Sequence, residues 1–83
     1  NNIELVEFLI KNGAEVNAKD EDKNTPLHVA VKNNSIDVAR LLIENGAEVN
    51  AKDKNKNTSL HIAAENNNIE LVEFLIKNGA EVN

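Results

Sequence analysis

The sequence predicts an all-α solenoid, in which short helix pairs stack side by side and are joined by turns. The first observation behind this is an internal repeat: residues 18–50 and 51–83 align without a gap, with 20 of 33 positions identical. A fixed period of this length is typical of stacked repeat architectures. The second observation is that residues 1–17 recur unchanged as residues 67–83, two periods later. The period therefore extends over the whole chain.

All 83 residues are expected to form one domain, because no Pro-, Gly- or Ser-rich linker divides them. We interpret residues 1–17 as the second helix of a partial unit and its exit, and residues 18–50 and 51–83 as complete units. Neither end carries the polar outer face that a capping repeat needs. We therefore expect a piece of a longer array, whose apolar ends would favour self-association.

The first helix of the middle unit is predicted to run from about Pro26 to Lys32. Thr25 precedes it, and a Thr hydroxyl can accept from the free N–H groups of the first helical turn, while Pro is tolerated at the first helical position. Ser59 replaces this Pro in the last unit. The equivalent helix there should start less rigidly.

The second helix of the middle unit is predicted from about Ile36 to Asn45. Asn34 before it tolerates left-handed backbone angles, and Ser35 is a good N-cap residue. Gly46 after it supplies the positive φ that a helix C-cap usually needs. The Asn-Gly pairs of this chain could instead form hairpin turns, but they follow helical spacing, which favours C-caps.

This second helix is apolar over most of its circumference, and its charged residues Asp37, Arg40 and Glu44 form one narrow stripe. A helix of this kind must be covered on more than one side, which neighbouring stacked units can do. In the last unit Glu73 and Lys77 are expected to form an i,i+4 pair worth a few tenths of a kcal/mol. We interpret the stripe as a solvated face.

The connections between units are predicted to be extended arms with polar tips, because residues 47–58 are rich in Asn, Asp and Lys. Oxygen side chains at alternate positions from Asp20 could suggest a calcium loop. Such a loop needs Gly at its sixth position and Glu at its twelfth, where this chain has Thr25 and Val31. A solvated tip is therefore the better interpretation.

The composition excludes several classes of function. A net charge of -5 disfavours binding to a phosphate backbone, so no nucleic acid partner is expected. The absence of Cys excludes a disulfide framework and a thiolate metal site. Apolar runs are far shorter than the ~20 residues of a membrane span. We expect a soluble chain without membrane contact, cofactor or metal; the compartment is left open, with the cytoplasm as the expected one.

The segment TPLHVA, residues 25–30, matches the signature T-P-L-H-x-A of ankyrin repeats, whose period is also 33 residues. The chain resembles this family over essentially its whole length. The resemblance implies units of a β-turn or hairpin plus two antiparallel helices, stacked into a curved solenoid. Lys23 and Lys56 stand where the family usually has Gly, and Lys tolerates positive φ poorly, so the tips should be strained or differently shaped.

The resemblance also bears on His28 and His61, which are the only imidazoles. Metal ligation and general base catalysis are the functional alternatives, but no second ligand recurs at a suitable spacing. The resemblance implies that these His residues are structural and bond back to Thr25 and Thr58. No Ser/His/Asp set or phosphate-binding Gly loop is present, and we predict that the chain is not an enzyme.

By resemblance, the expected function is a protein-interaction scaffold that contacts a protein partner through its hairpin tips and the concave face of its first helices. The alternative is a structural spacer within a longer ankyrin array, with contacts elsewhere. The partner-binding positions implied by the resemblance are Lys19, Glu21, Asp22, Asn24, Lys32, Asn33, Lys52, Lys54, Asn55, Asn57, Glu65 and Asn66.

Overall fold

The computed structural model describes residues 3–82, which form five helices and no strand. The predicted partial unit starts at residue 1 and the last unit ends at residue 83, so both of these ends lie outside the described residues. Helix α2 packs against α3, and α4 against α5; α2 also contacts α4, and α1 contacts α3. The predicted all-α stack is therefore confirmed. The helices are α1 (Ile3–Lys11), α2 (Pro26–Lys32), α3 (Ile36–Glu44), α4 (Ser59–Glu65) and α5 (Ile69–Lys77).

Helix α2 begins at Pro26, as predicted, and both first helices, α2 and α4, start with a reciprocal cap. The Thr25 hydroxyl accepts from the backbone N–H of His28 at 3.3 Å, and His28 Nδ1 accepts from the Thr25 N–H at 3.1 Å. Thr58 and His61 form the same pair at 3.4 and 3.0 Å. Each cap satisfies two backbone donors that a helix start otherwise leaves free.

The second helices differ from the prediction at their ends. Helix α3 stops at Glu44, one residue earlier than expected, because Asn45 is its C-cap; Gly46 follows with the predicted positive φ of 96°. Ser35 is the N-cap residue of α3, as predicted, but its side chain makes no capping bond. At the equivalent position Asn68 Oδ1 accepts from the Leu71 N–H at 3.1 Å. The longer Asn side chain reaches the first helical turn from this backbone conformation, and Ser does not.

The core lies between the helix layers and is continuous from α2 to α5. Leu27 and Val31 of α2 and Leu71 and Leu75 of α5 are fully buried. A fully buried side chain of this size contributes about 1.5–3 kcal/mol to stability. Leu42 and Leu75 of the second helices lie in this core, while Ile36 packs partly buried against it.

The units are also joined by side-chain amides that the sequence did not reveal. Asn17 Nδ2 donates to the Gly46 carbonyl at 3.0 Å, and Asn17 Oδ1 accepts from the Glu48 N–H at 2.7 Å. Asn50 makes the same two bonds to the next unit, to Gly79 and Glu81. A bond of 3.0 Å between the side chains of Asn34 and Asn68 adds a further link. The side chains of four Asn residues therefore link one unit to the next.

The ion pairs within residues 3–82 are Asp37 with Arg40, at 3.7 Å, and Asp22 with Lys54, at 3.0 Å. The expected pair of Glu73 and Lys77 is not among them, so that prediction was wrong. Both side chains are exposed, where holding two long side chains together gains little over hydration. No helix in this part of the chain is long and apolar enough to cross a membrane.

Candidate functional site

The tip of the middle unit, residues 19–24, is a tight turn organised by Asp20. Its Oδ1 accepts from the backbone N–H groups of Asp22 at 2.9 Å and Asn24 at 2.8 Å. These bonds stabilise the carboxylate and lower the pKa of Asp20, the bond from Asn24 contributing most. Lys23 takes a φ of 63°, which confirms that a Lys occupies the left-handed position of the turn.

The tip of the last unit, residues 52–57, repeats this geometry. Asp53 Oδ1 accepts from the N–H groups of Asn55 and Asn57, both at 2.9 Å, and the pKa of Asp53 is lowered mainly by the bond from Asn57. Lys56 has a φ of 67°. The two tips are thus nearly identical in backbone while they differ in side chains.

The two tips are joined directly to each other. The Lys54 N–H donates to the Asp22 carbonyl at 2.9 Å, and the Lys54 ammonium lies 3.0 Å from Asp22 Oδ1. This carboxylate raises the pKa of Lys54, through a hydrogen bond and through its charge. Two of the predicted partner-binding residues therefore contact one another across the boundary between units.

Two other predicted positions, Asn24 and Asn57, are only partly exposed because their backbones close the tips. The Asn57 carbonyl accepts from His28 Nε2 at 3.0 Å; Nε2 carries the hydrogen because Nδ1 already accepts from Thr25. The Asn24 side chain accepts from the Lys32 ammonium at 3.4 Å. The backbone N–H of each Asn also donates to the Asp of its own tip, so both residues support the tips through their backbones.

The remaining predicted positions are exposed. Lys32 and Glu65 end the first helices, and Asn33 and Asn66 follow as their C-caps. The Asn33 amide donates to the Val29 carbonyl at 2.9 Å, which partly commits this side chain to the helix end. Of these remaining predicted positions, the four that lie on the tips are Lys19, Glu21, Lys52 and Asn55.

Both histidines are structural in the way the resemblance implies, but they differ in their surroundings. His28 is fully buried and bonds to its own unit through Nδ1 and to the next unit through Nε2. His61 is exposed. Within residues 3–82 its ring bonds only to Thr58, because no further carbonyl of this region lies over it.

Sequence reasoning missed one feature of the opposite surface, a shallow groove between α3 and α5. The Arg40 guanidinium lies over the Phe74 ring, 5.4 Å from its centroid, and Ile36 lines the same groove. A cation over an aromatic face at this distance is attractive. The interpretation of the charged stripe of α3 as a solvated face was therefore incomplete, because Arg40 also packs over Phe74 of the next unit.

Two comparisons with known proteins bear on this arrangement. A family model for ankyrin repeats in three copies matches residues 1–83. A putative ankyrin repeat protein of fowlpox virus (strain NVSL) is 56% identical over 34 residues, which cover 41% of this chain and 8% of that relative. The chain thus spans a small part of the curated relative's length. Together with the capped helix pairs and the 33-residue period, the match over the full length shows that this chain belongs to the ankyrin repeat family.

Proposed function

We propose that this chain is a non-catalytic scaffold that binds a protein partner through its tips and the exposed ends of its first helices. Ankyrin repeats are generally protein-interaction modules, and the family is generally non-catalytic. The proposal adds to this general role the surface through which the partner is bound.

The observation that carries the proposal is a constant backbone bearing variable side chains. The two tips share the same Asp-centred turn and the same left-handed Lys. At the exposed positions of the tips, Glu21 of the middle unit corresponds to Lys54 of the last unit. At the ends of the first helices, Lys32 corresponds to Glu65. A rigid frame with changing charges is suited to recognition by polar complementarity, since rigid groups lose less entropy on binding.

The contacts within the protein divide the proposed positions into two groups. Asn24 and Asn57 support the turns, and Asp22 and Lys54 pair with each other, so these four mainly shape the surface. We propose that direct partner contact comes from the exposed remainder: Lys19, Glu21, Lys32, Asn33, Lys52, Asn55, Glu65 and Asn66.

A pull-down with matched variants tests this function. The variant Lys19→Ala/Lys52→Ala removes two exposed bases from the proposed surface. The control variant Lys11→Ala/Lys77→Ala removes the same charges from exposed positions at the ends of α1 and α5. We expect the first variant to lose partner recovery and the control to retain it, with helical circular dichroism and melting temperature preserved in both.

The second candidate is a spacer within a longer ankyrin array. It is favoured by the two-bond links of Asn17 and Asn50 between units, since a chain of repeats joined in this way transmits force and position without a specialised surface. Equal partner recovery by the unmodified chain and both variants would support the spacer and contradict the binding proposal.

We also propose that a polypeptide of only these 83 residues associates with itself through apolar end faces. Phe8 of α1 and Ile69 of α5, at the two ends of the stack, are 61% and 68% exposed, and patches of this kind favour association. Sedimentation should show a mass that rises with concentration. The double variant Phe8→Lys/Ile69→Lys should remain monomeric over the same range; a monomeric unmodified chain would contradict this.

A further inference from the structure

We infer that the partner segment bound at the tips is acidic and extended, and that four lysines at the tips recognise it. This inference rests on the proposed function, because it names the chemistry of a partner at the same surface. We call residues 19–24 and 52–57 together the tip row.

The charge of the tip row differs from that of the rest of the chain. It holds five Lys against four Asp and Glu, so its formal net charge is 5 − 4 = +1. The chain as a whole carries -5, which leaves -6 for all other residues. The tip row is therefore a weakly positive edge on an acidic body, and the partner most compatible with that edge is negatively charged.

The acidic residues of the tip row are largely occupied by contacts within the protein. Asp20 and Asp53 each accept two backbone N–H groups, and Asp22 pairs with Lys54. The ion pairs found within residues 3–82 include none of the other four tip lysines. These exposed ammonium groups are those of Lys19, Lys23, Lys52 and Lys56.

Two of these lysines occupy a conformation that disfavours them. Lys23 and Lys56 have φ angles of 63° and 67°, a region in which a residue with a Cβ is less stable than Gly. Strained backbone positions tend to occur where a side chain has a use. Here Lys takes the unfavourable left-handed conformation at the same position of two adjacent units. In both units its ammonium group is exposed to solvent.

The tips hold the backbones of these four lysines in a fixed arrangement, from which the side chains extend into solvent. Each turn is closed by its Asp, and the bond from the Lys54 N–H to the Asp22 carbonyl sets the tips side by side. The lysines therefore form two columns that run from one unit to the next. One column consists of Lys19 and Lys52, and the other of Lys23 and Lys56. A peptide lying across the units would meet an ammonium group from each column at each tip.

An acidic peptide fits this surface better than a nucleic acid does. The tip row contains no aromatic residue on which a base could stack. Lys acts as a point charge without the fixed fork of Arg, which suits carboxylates on flexible side chains. Binding of this kind is fast and salt-dependent.

The test measures fluorescence anisotropy of a labelled peptide of alternating Glu and Ser with the full chain. Peptides with Gln or Lys in place of Glu, and a labelled single-stranded oligonucleotide, are measured in parallel. The variant Lys23→Asn/Lys56→Asn removes two charges while Asn tolerates the left-handed backbone. The control variant Lys11→Gln/Lys77→Gln removes the same charge from the ends of α1 and α5.

We expect the Glu peptide alone to bind, with affinity that falls as salt rises to about 0.15 M. The tip variant should weaken binding about threefold to tenfold, which corresponds to two exposed charge pairs, and the control variant should leave it within about twofold. Equal losses in both variants, equal binding of the Gln peptide, or preferred binding of the oligonucleotide would each overturn the inference.

The proposed function and this inference fail in different ways. If the Glu peptide does not bind but the Lys19 and Lys52 variant still loses partner recovery, the scaffold function stands and the acidic partner is wrong. If neither experiment responds to changes at the tips, both proposals fall.

Discussion

Helices α1 and α5 have the same sequence, IELVEFLIK, and yet they bury different faces. Leu71 and Leu75 of α5 are both 0% exposed, whereas the equivalent Leu5 and Leu9 of α1 are 53% and 47% exposed. The difference arises because α5 packs against α4, while α1 contacts α3 and has no first helix before it within the described residues. Identical residues thus form identical helices whose contribution to stability depends on their neighbours.

The opposite faces of the two helices show the reverse pattern. Ile3 and Ile10 of α1 are partly buried, because α3 lies beside them, while the equivalent Ile69 and Ile76 of α5 are exposed. A helix of this sequence therefore has two apolar faces, and in each copy neighbouring helices bury only one of them. This is direct evidence that the apolar circumference seen in the sequence is suited to an internal position in a stack.

The sharpest test of this comparison is to truncate the same residue in both helices. Leu75→Ala should lower the free energy of unfolding by about 2–5 kcal/mol, because it leaves a cavity in the core. Leu9→Ala should cost less than about 1 kcal/mol, because Leu9 is half exposed. Urea denaturation of both variants measures the difference, and equal costs would show that α1 is packed like α5.

The two histidines provide a second matched pair. His28→Ala removes a ring that bonds to Thr25 and to the Asn57 carbonyl of the next unit, whereas His61→Ala removes only the bonds to Thr58. We expect His28→Ala to cost about 1–3 kcal/mol more, because it leaves buried polar groups without partners. Thermal melts at neutral pH test this. Similar melting temperatures for the two variants would argue against the bond between units.

The starts of α2 and α4 differ at one position, where Pro26 is replaced by Ser59. The Ser59 hydroxyl is buried and has no hydrogen-bond partner within the described residues, and Thr58 already has the extended backbone that precedes a Pro, with ψ of 171°. Ser59→Pro should therefore raise stability by about 0.5–1 kcal/mol. A lower melting temperature would contradict this, and Ser59→Ala separates loss of the hydroxyl from gain of the ring.

The smallest expected effect concerns pH and the two tips. The pKa values of Asp20 and Asp53 are lowered in the folded chain from the ordinary 3.8. Their contribution to stability is therefore present above that value and is lost as the pH falls through the lowered folded pKa. Asp20→Asn/Asp53→Asn should flatten the stability profile below about pH 4, as followed by urea denaturation at several pH values. An unchanged profile would mean that the tips do not stabilise these carboxylates.

Local chemistry made some of the helix ends predictable. The start of α2 follows from Thr25 and Pro26, and the positive φ of Gly46 follows from its place after the last apolar residue. The positions proposed for partner contact could be named by their place in the repeat. The pairing of Asp22 with Lys54 and the links made by Asn17 and Asn50 could not, because these partners lie about one repeat apart in the chain and no residue pattern states which side chains will meet.

The sequence by itself determined the repeat, the two helices of each unit and the turns that join them, because the bonds that specify them connect residues only a few positions apart. Only the tertiary structure decided which face of IELVEFLIK is buried, which carboxylates at the tips are occupied and which lysines remain exposed. Those properties depend on the surfaces that neighbouring units bring into contact, and the same short sequence met different surfaces at the two ends of this stack.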